Sequence, residues 1–353
     1  MALLPDAEIA PYALCPSADG VMIRWGSGES SSSLEFWPEG DASGTRCVPG
    51  QDRGDGLWET VLTGLRPGTR YLCRRDTASA IRSFRTAPTD PDAAFTVAIF
   101  GDPQNLVHYP EAVATMVACQ PDLAIGLGDY LGRSDGASYR RFLTFSENLL
   151  GTTALLAVPG NHDYRLHSNP FPKDNDRQVF DRYLGDARNP HVALSWGRLL
   201  LLGLDYADRG AWAVAGPEAT WLRSQLHSAR QADQRVVLFQ HCPCFTSTRA
   251  TWAADDRVLP ALLSEFADVV LADFGGHVHT YERSLFPDAR GIPYITSGGA
   301  GELYDFPVNE CPNPYQVVAA DCLHICLLQV RPDRVSMKAV GLEGELLDDC
   351  LLG

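Results

Sequence analysis

The sequence predicts an α/β protein built on parallel strands and preceded by a small all-β unit. Three observations carry that expectation. Five short segments each place polar side chains directly after an apolar run: Gly101-Asp102-Pro103-Gln104, Gly128-Asp129-Tyr130, Gly160-Asn161-His162-Asp163, Gln240-His241-Cys242-Pro243 and Gly276-His277-Val278-His279. Helix-like stretches lie between these runs, so strands and helices alternate. A short proline-rich acidic connector, Ala87-Pro88-Thr89-Asp90-Pro91-Asp92, separates this pattern from a leading region of alternating strands.

In the leading region, expected to form a unit over residues 1–88, residues 21–25 and 33–37 alternate apolar and polar side chains and read as half-buried strands. Residues 60–75 read strand, turn, strand, with the turn at Leu65-Arg66-Pro67-Gly68-Thr69. The second unit is expected over residues 93–346. Its strands are Phe95–Phe100, residues 123–127, residues 154–158 and Arg235–Phe239, with a shorter, aspartate-mixed run at 268–274. Helices are expected at 111–119, 138–150, 217–229 and 258–266, and Pro217 suits a first helical turn, where its missing N–H costs nothing. Pro293–Ser297 and residues 323–330 and 335–340 read as strands of a second sheet. Ser297-Gly298-Gly299-Ala300-Gly301 lacks the Lys-Ser/Thr of a phosphate loop and reads as a strand-end turn.

Parallel strands gather their carboxyl ends along one edge, so the five polar loops converge on one crevice. Carboxylate, amide and imidazole meeting there form a ligand set for one or two divalent metals. That mixture suits Mn, Fe, Zn or Co better than an all-oxygen calcium site.

The five blocks, in this order, resemble the calcineurin-like metallophosphoesterase superfamily, whose signature runs Asp-x-His/Gln, Gly-Asp, Gly-Asn-His-Asp/Glu, a lone His and Gly-His-x-His. The longer ending Gly276-His277-Val278-His279-Thr280-Tyr281-Glu282-Arg283 is similar to the purple acid phosphatase branch. Trp25 and the turn at residues 65–71 make the leading region similar to a fibronectin type III or purple-acid-phosphatase-type N-terminal sandwich. The resemblance implies a four-layer αββα sandwich with two central sheets. It implies two metal ions, one held by Asp102, Gln104 and His279, the other by Asn161, His241 and His277, with Asp129 bridging. Ions about 3.5–4 Å apart would clamp a phosphate and acidify a bridging water, whose hydroxide attacks phosphorus. His162 would then assist the departing alkoxide, and Tyr281, Glu282 and Arg283 would form an ion-pair cluster holding the histidine loop.

Two departures bear on the chemistry. The purple acid phosphatases carry a tyrosine ligand three residues after the bridging Asp, where this chain has Gly132, so an Fe(III)–tyrosinate colour is not expected. Gln104 stands in place of the commoner His. Arg133, four residues after Asp129, matches an arginine of the serine/threonine phosphatase branch that clamps phosphate by a bidentate contact. The implied activity is hydrolysis of a small phosphorylated substrate, with monoesters preferred. A phosphodiesterase using the same site, and a catalytically silent phospholigand-binding fold, are the alternatives.

The 353 residues carry a net charge of −15, which argues against tracking nucleic acid backbones. It does not argue against a phosphate substrate, because bound dications would dominate the local field. No run is long enough to span a bilayer, and no leader is visible at the start, so a cytoplasmic location with reduced thiols is the expectation. In a secreted form, Cys47 and Cys73 would be a candidate pair among the ten cysteines, while Cys242 and Cys244 read as small residues shaping a tight loop. His108, His167 and His191 read as ordinary surface histidines, and Trp212 and Trp252 as packing residues or stacking surfaces for a leaving group.

Overall fold

The computed structural model describes residues 9–164, 177–205, 216–248, 258–285, 291–302, 308–311 and 313–353. His167, Trp212 and Trp252, and most of the loops at 165–178, 207–215 and 246–256, lie outside these described residues.

Period-two alternation decides which layer each strand side chain enters. In Phe95–Phe100, Val97 and Ile99 face one core while Ala98 and Phe100 face another. In Leu199–Gly203, Leu199 and Leu201 join the first of those cores, and Leu200 and Leu202 enter a third. The shared core therefore lies between two sheets. The second core lies under the helices Tyr109–Ala118 and Gly136–Phe145, and the third under Pro217–Gln231 and Val258–Ser264. This is the four-layer αββα arrangement, and Pro217 opens its helix as expected. The helix expected at 138–150 is divided at Ser146, whose hydroxyl bonds back to the Phe142 carbonyl at 2.8 Å and so disturbs the ladder.

The second sheet has seven strands, ordered Val192–Trp196, Leu199–Gly203, Arg235–Phe239, Val270–Gly275, Pro293–Ser297, Tyr281–Leu285 and Gln316–Ala320. The first sheet is larger than expected and takes in strands assigned elsewhere. His324–Arg331 pairs antiparallel with Phe95–Phe100, and Arg334–Gly341 and Leu346–Leu351 follow outward. The segments at 323–330 and 335–340 therefore belong to the first sheet. Their alternation marks them as strands but says nothing about which free edge they cover. The outermost strand also carries the sheet past residue 346, to Leu351.

At its other edge the first sheet runs on into the leading unit. Tyr12–Leu14 lies parallel to Ala154–Ala157, with Leu14 opposite Leu155 and the Cys15 N–H on the Leu155 carbonyl at 3.1 Å. Gly20–Gly26, Leu57–Thr63 and Gln51–Asp52 continue the same sheet, which totals ten strands. A four-stranded sheet, Arg46–Pro49, Ser33–Pro38, Arg70–Arg74 and Arg82–Arg85, packs over these to complete the leading sandwich. Trp25 is fully buried in a core shared with Val97, Ile99 and Phe239. Cys47 and Cys73 do not form a pair. They flank the Ser33–Pro38 strand opposite the consecutive residues Glu35 and Phe36, so they point to opposite faces, about two strand spacings (roughly 9–10 Å) apart. No helix among the described residues is long and apolar enough to cross a membrane.

One buried arginine, ion-paired within the leading unit, also reaches its neighbour. Arg24, wholly buried, donates to Glu59 at 2.8 Å and to the Gly185 carbonyl at 2.8 Å. Removing one partner strands the other charge in the interior. Glu59→Ala should lower urea-unfolding stability by about 3–5 kcal/mol. Glu35→Ala, which breaks the part-exposed pair with Arg74, should cost under about 1 kcal/mol. Equal losses in the two variants would contradict this account.

Candidate metal centre

Three strand ends of the first sheet deliver Asp102, Asp129 and Asn161, and two of the second deliver His241, His277 and His279. All six are buried. Asp102, Asp129 and His277 adopt positive φ angles of 59°, 54° and 66°, each costing about 1–3 kcal/mol for a residue with a Cβ. Backbone donors are tied down in compensation. The Asp129 N–H donates to Asp163 Oδ2 at 2.7 Å, and the His277 N–H to Asp102 Oδ2 at 2.8 Å. The turn after Pro293–Ser297 closes over the first loop through Ala300 N–H to Gly101 O and Glu302 N–H to Asp102 O, both at 3.0 Å. A Cβ at Gly160 would stand 2.1 Å from Asp129 Oδ1, so that position admits only glycine.

His241 tests whether a metal fits. Its Nδ1 lies 2.8 Å from the Leu127 carbonyl, a contact that only an N–H can make. The remaining nitrogen, Nε2, then faces Asn161 Oδ1 at 3.0 Å, Asp129 Oδ2 at 3.3 Å and His277 Nδ1 at 3.1 Å. Four side chains converging here leave room for one shared proton or a bound cation among their lone pairs. Burial alone would lower the His241 pKa, but the Asp129 carboxylate, helped by Asp102, pushes it up to about 9. Asp129 itself is also opposed by burial, and His241 holds it far below the usual carboxylate range. Burial and the adjacent His241 charge pull His277 down to about 3, leaving it neutral. The donor set fits a divalent ion: one carboxylate, two imidazoles and one amide oxygen, with the Asp129, His241 and His277 ligand atoms all within 4.8 Å of one another.

The other half of the expected set is looser. His279 Nε2 is 3.6 Å from Asp102 Oδ1, a buried oxygen with no hydrogen-bond partner, and burial raises the Asp102 pKa. Gln104 departs from expectation. Its Nε2, not its oxygen, faces the centre and donates to Asp129 Oδ2 at 2.8 Å. A primary amide beside a carboxylate offers it an N–H, and ligation through Oε1 requires the amide plane to turn over.

His162 reaches the rim half-buried. Its backbone N–H holds Asp129 Oδ1 at 2.8 Å and its Nδ1 lies 3.2 Å from the Gly132 carbonyl. That carbonyl is the orienting partner that residue identities alone did not reveal. Asp163 does not serve His162. It is fully buried and binds the N–H groups of Asp129 and Gly160 and the Tyr139 hydroxyl, and burial, reinforced by Asp129, raises it to about 7. Arg133 lies outside the buried set, its side chain 85% exposed and 3.4 Å from Asp135. Tyr281 and Arg283 both bond Asp348 across the two sheets at 2.6 Å, while Glu282 takes the Ser247 N–H at 2.7 Å. His191 pairs with Glu218 and accepts the Asp205 N–H at 3.0 Å, so it is structural.

Comparison with known proteins agrees with this geometry. Residues 95–281 match the family model described as calcineurin-like phosphoesterase. Purple acid phosphatase 15 of Arabidopsis thaliana is 24% identical over 72% of this chain and 55% of its own length. The phosphoenolpyruvate phosphatase of Allium cepa is 24% identical over 74% of this chain and 56% of its own. The chain thus spans little more than half the length of these relatives. Among solved structures, purple acid phosphatase PPD1 from yellow lupin (Lupinus luteus) superposes with a TM-score of 0.80 at 14% identity, covering 98% of this chain and 74% of that one. PhoD gives 0.71 at 14% identity, covering 97% and 88%. These likenesses show the fold.

A pH dependence of metal uptake follows from His241. Below about pH 9 its Nε2 holds a proton that a metal must displace, whereas His277 and Asp129 are already deprotonated. Affinity for Mn(II) or Zn(II) should therefore rise about tenfold per pH unit from pH 7 to 9, with one proton released per ion. Calorimetry in buffers of different protonation enthalpy reads that proton, and a pH-independent affinity would contradict the assignment.

Proposed function

This chain belongs to the calcineurin-like phosphoesterase family, and we propose that it hydrolyses phosphate esters at the centre just described. The observation that carries the reading is the convergence of His241 Nε2, Asn161 Oδ1, His277 Nδ1 and Asp129 Oδ2, all buried and at hydrogen-bonding distances with a proton or cation required between them. Phosphoesterases of this kind use dinuclear metal centres. In our reading Asn161, His241 and His277 hold one ion, Asp102, His279 and a turned Gln104 hold the other, and Asp129 bridges. Mn, Fe, Zn and Co all suit the donors. Bound divalent ions would neutralise the phosphate and bring the pKa of water towards neutrality.

The chain's own residues supply the rest. With Nδ1–H directed to the Gly132 carbonyl, the His162 ring would give a leaving alkoxide a proton or a hydrogen bond from Nε2 as the doubly protonated imidazolium, which returns to the neutral ring when the proton leaves. The His162 backbone N–H holds Asp129 Oδ1, so one oxygen of the bridging carboxylate is set before substrate arrives. Arg133 would clamp phosphate by exchanging Asp135 for the substrate. A small phosphomonoester is the substrate class we favour, supported by relatives named phosphoenolpyruvate phosphatase and purple acid phosphatase.

Metal-stripped protein reconstituted with Mn(II), Zn(II) or Fe(II) should hydrolyse p-nitrophenyl phosphate faster than bis-p-nitrophenyl phosphate. His162→Ala should lower kcat about 10²-fold while metal content, measured by mass spectrometry, stays that of the wild type. Preference for the diester would move the enzyme to the phosphodiesterases. Tight metal and phosphate binding with no turnover of either ester would favour a silent binding fold.

A further inference from the structure

The leading β unit touches the metal centre through a chain of side chains of which the phosphoesterase signature contains only the first, Asp163. Asp163 Oδ2 accepts the N–H groups of Asp129 and Gly160, both at 2.7 Å, and so pins two strand-end loops to one carboxylate. Its other oxygen accepts the Tyr139 hydroxyl at 2.8 Å. The Tyr139 ring stacks on Tyr183, with centroids 5.2 Å apart and planes 4° from parallel. The Tyr183 hydroxyl in turn donates to Asp55 Oδ2 at 2.7 Å. Asp55 belongs to the turn between Gln51–Asp52 and Leu57–Thr63 in the leading unit, and Arg140 holds the Asp55 carbonyl. The packing is close: a Cβ at Gly136, which opens the Tyr139 helix, would meet Asp55 Oδ2 at 2.7 Å and the Tyr183 hydroxyl at 3.1 Å.

We propose that Asp163, Tyr139, Tyr183 and Asp55 form a positioning relay by which the leading β unit sets the geometry of the bridging carboxylate Asp129. The argument is geometric. Asp129 sits at a φ of 54°, a conformation it keeps only if its N–H is held. The single side chain holding that N–H is Asp163, whose orientation depends on the Tyr139 hydroxyl. Tyr139 is fully buried and is fixed by a stack on Tyr183, which the leading unit anchors. Second-layer partners of this kind typically change metal affinity by about 10–100-fold when removed. Asp129 as a metal bridge rests on the reading under Proposed function; the relay adds that residues some way from the ions tune it.

Mn(II) affinity of the full-length, metal-stripped chain, read by electron paramagnetic resonance, tests the relay without turnover. Tyr139→Phe and Tyr183→Phe each remove one hydroxyl and keep the ring stack. Tyr12→Phe is the control, because the Tyr12 hydroxyl donates to the Tyr183 carbonyl at 2.8 Å across the same junction but outside the relay. All three should lower the melting temperature slightly. Mn(II) affinity should fall about tenfold in Tyr139→Phe, at least about threefold in Tyr183→Phe, and not in Tyr12→Phe. The double variant should match Tyr139→Phe within about twofold, since one chain is cut twice. The relay is overturned if Tyr183→Phe binds Mn(II) like the wild type or no worse than Tyr12→Phe, or if the two losses multiply. Should Tyr139→Phe fail to fold, Tyr183→Phe against Tyr12→Phe decides alone. A wild-type chain that takes up neither Mn(II) nor Zn(II) would sink the metal-centre reading and leave the relay nothing to position.

Discussion

A crowd of electron-pair donors facing one another inside the protein is the constraint on which this structure turns. Asp102, Asp129, Asn161, His241 and His277 are all withdrawn from water, and their acceptor atoms point inward. Such an arrangement is unfavourable without a shared proton or a cation at its middle, because buried acceptors cannot satisfy one another. The surrounding architecture exists to hold it. The parallel strands of two mixed sheets supply the strand ends, left-handed backbone at three positions aims the side chains, and Asp163 and Asp102 hold the N–H groups of Asp129 and His277. The fold stores the strain locally and offsets it with three well-filled cores.

Continuity of the first sheet gives the leading unit a different standing from an appended module. Its strands extend the first sheet through Tyr12–Leu14, and the Arg24–Glu59 pair and the Asp55 turn both bear on the helix Gln178–Tyr183 and the residues just after it. An independent module would pack through a small polar interface and could be lifted away. Here the core of the sandwich and the core between the sheets are one. The same logic applies at the far edge. Asp348 on the outermost strand of the first sheet takes Tyr281 and Arg283 from the second, tying the stretch that follows His279 to the opposite layer.

Much of the centre was legible because each of its side chains sits within a few residues of the strand that carries it. Asp102, Asp129, Asn161, His241, His277 and His279 could be named from short blocks, and the structure brings them to one place. What could not be read are the atoms that belong to backbone. The Leu127 carbonyl fixes the His241 tautomer and the Gly132 carbonyl orients His162, yet neither depends on the identity of its residue. Asp163 was visible as a residue next to His162, but its hold on the Asp129 and Gly160 N–H groups was not, since those groups come from loops that only the fold brings together. Gln104 illustrates a third case. Its position was legible and its orientation was not, because an amide presents either face according to its neighbours.

Strand identity and strand partnership separate in the same way. Alternation of apolar and polar side chains is a local property, so the sequence by itself determined that residues 323–330, 335–340 and 21–25 are extended, and that polar loops follow five of the buried strands. It determined too the chemical types that meet at those loops. Only the tertiary structure decided that His324–Arg331 covers the edge of Phe95–Phe100, that the leading strands join the first sheet, and that Tyr139 bears on Asp163. Backbone hydrogen bonds are the same for every residue type, so which edges meet is chosen by the summed burial of distant faces. That sum is settled only when the whole chain has packed.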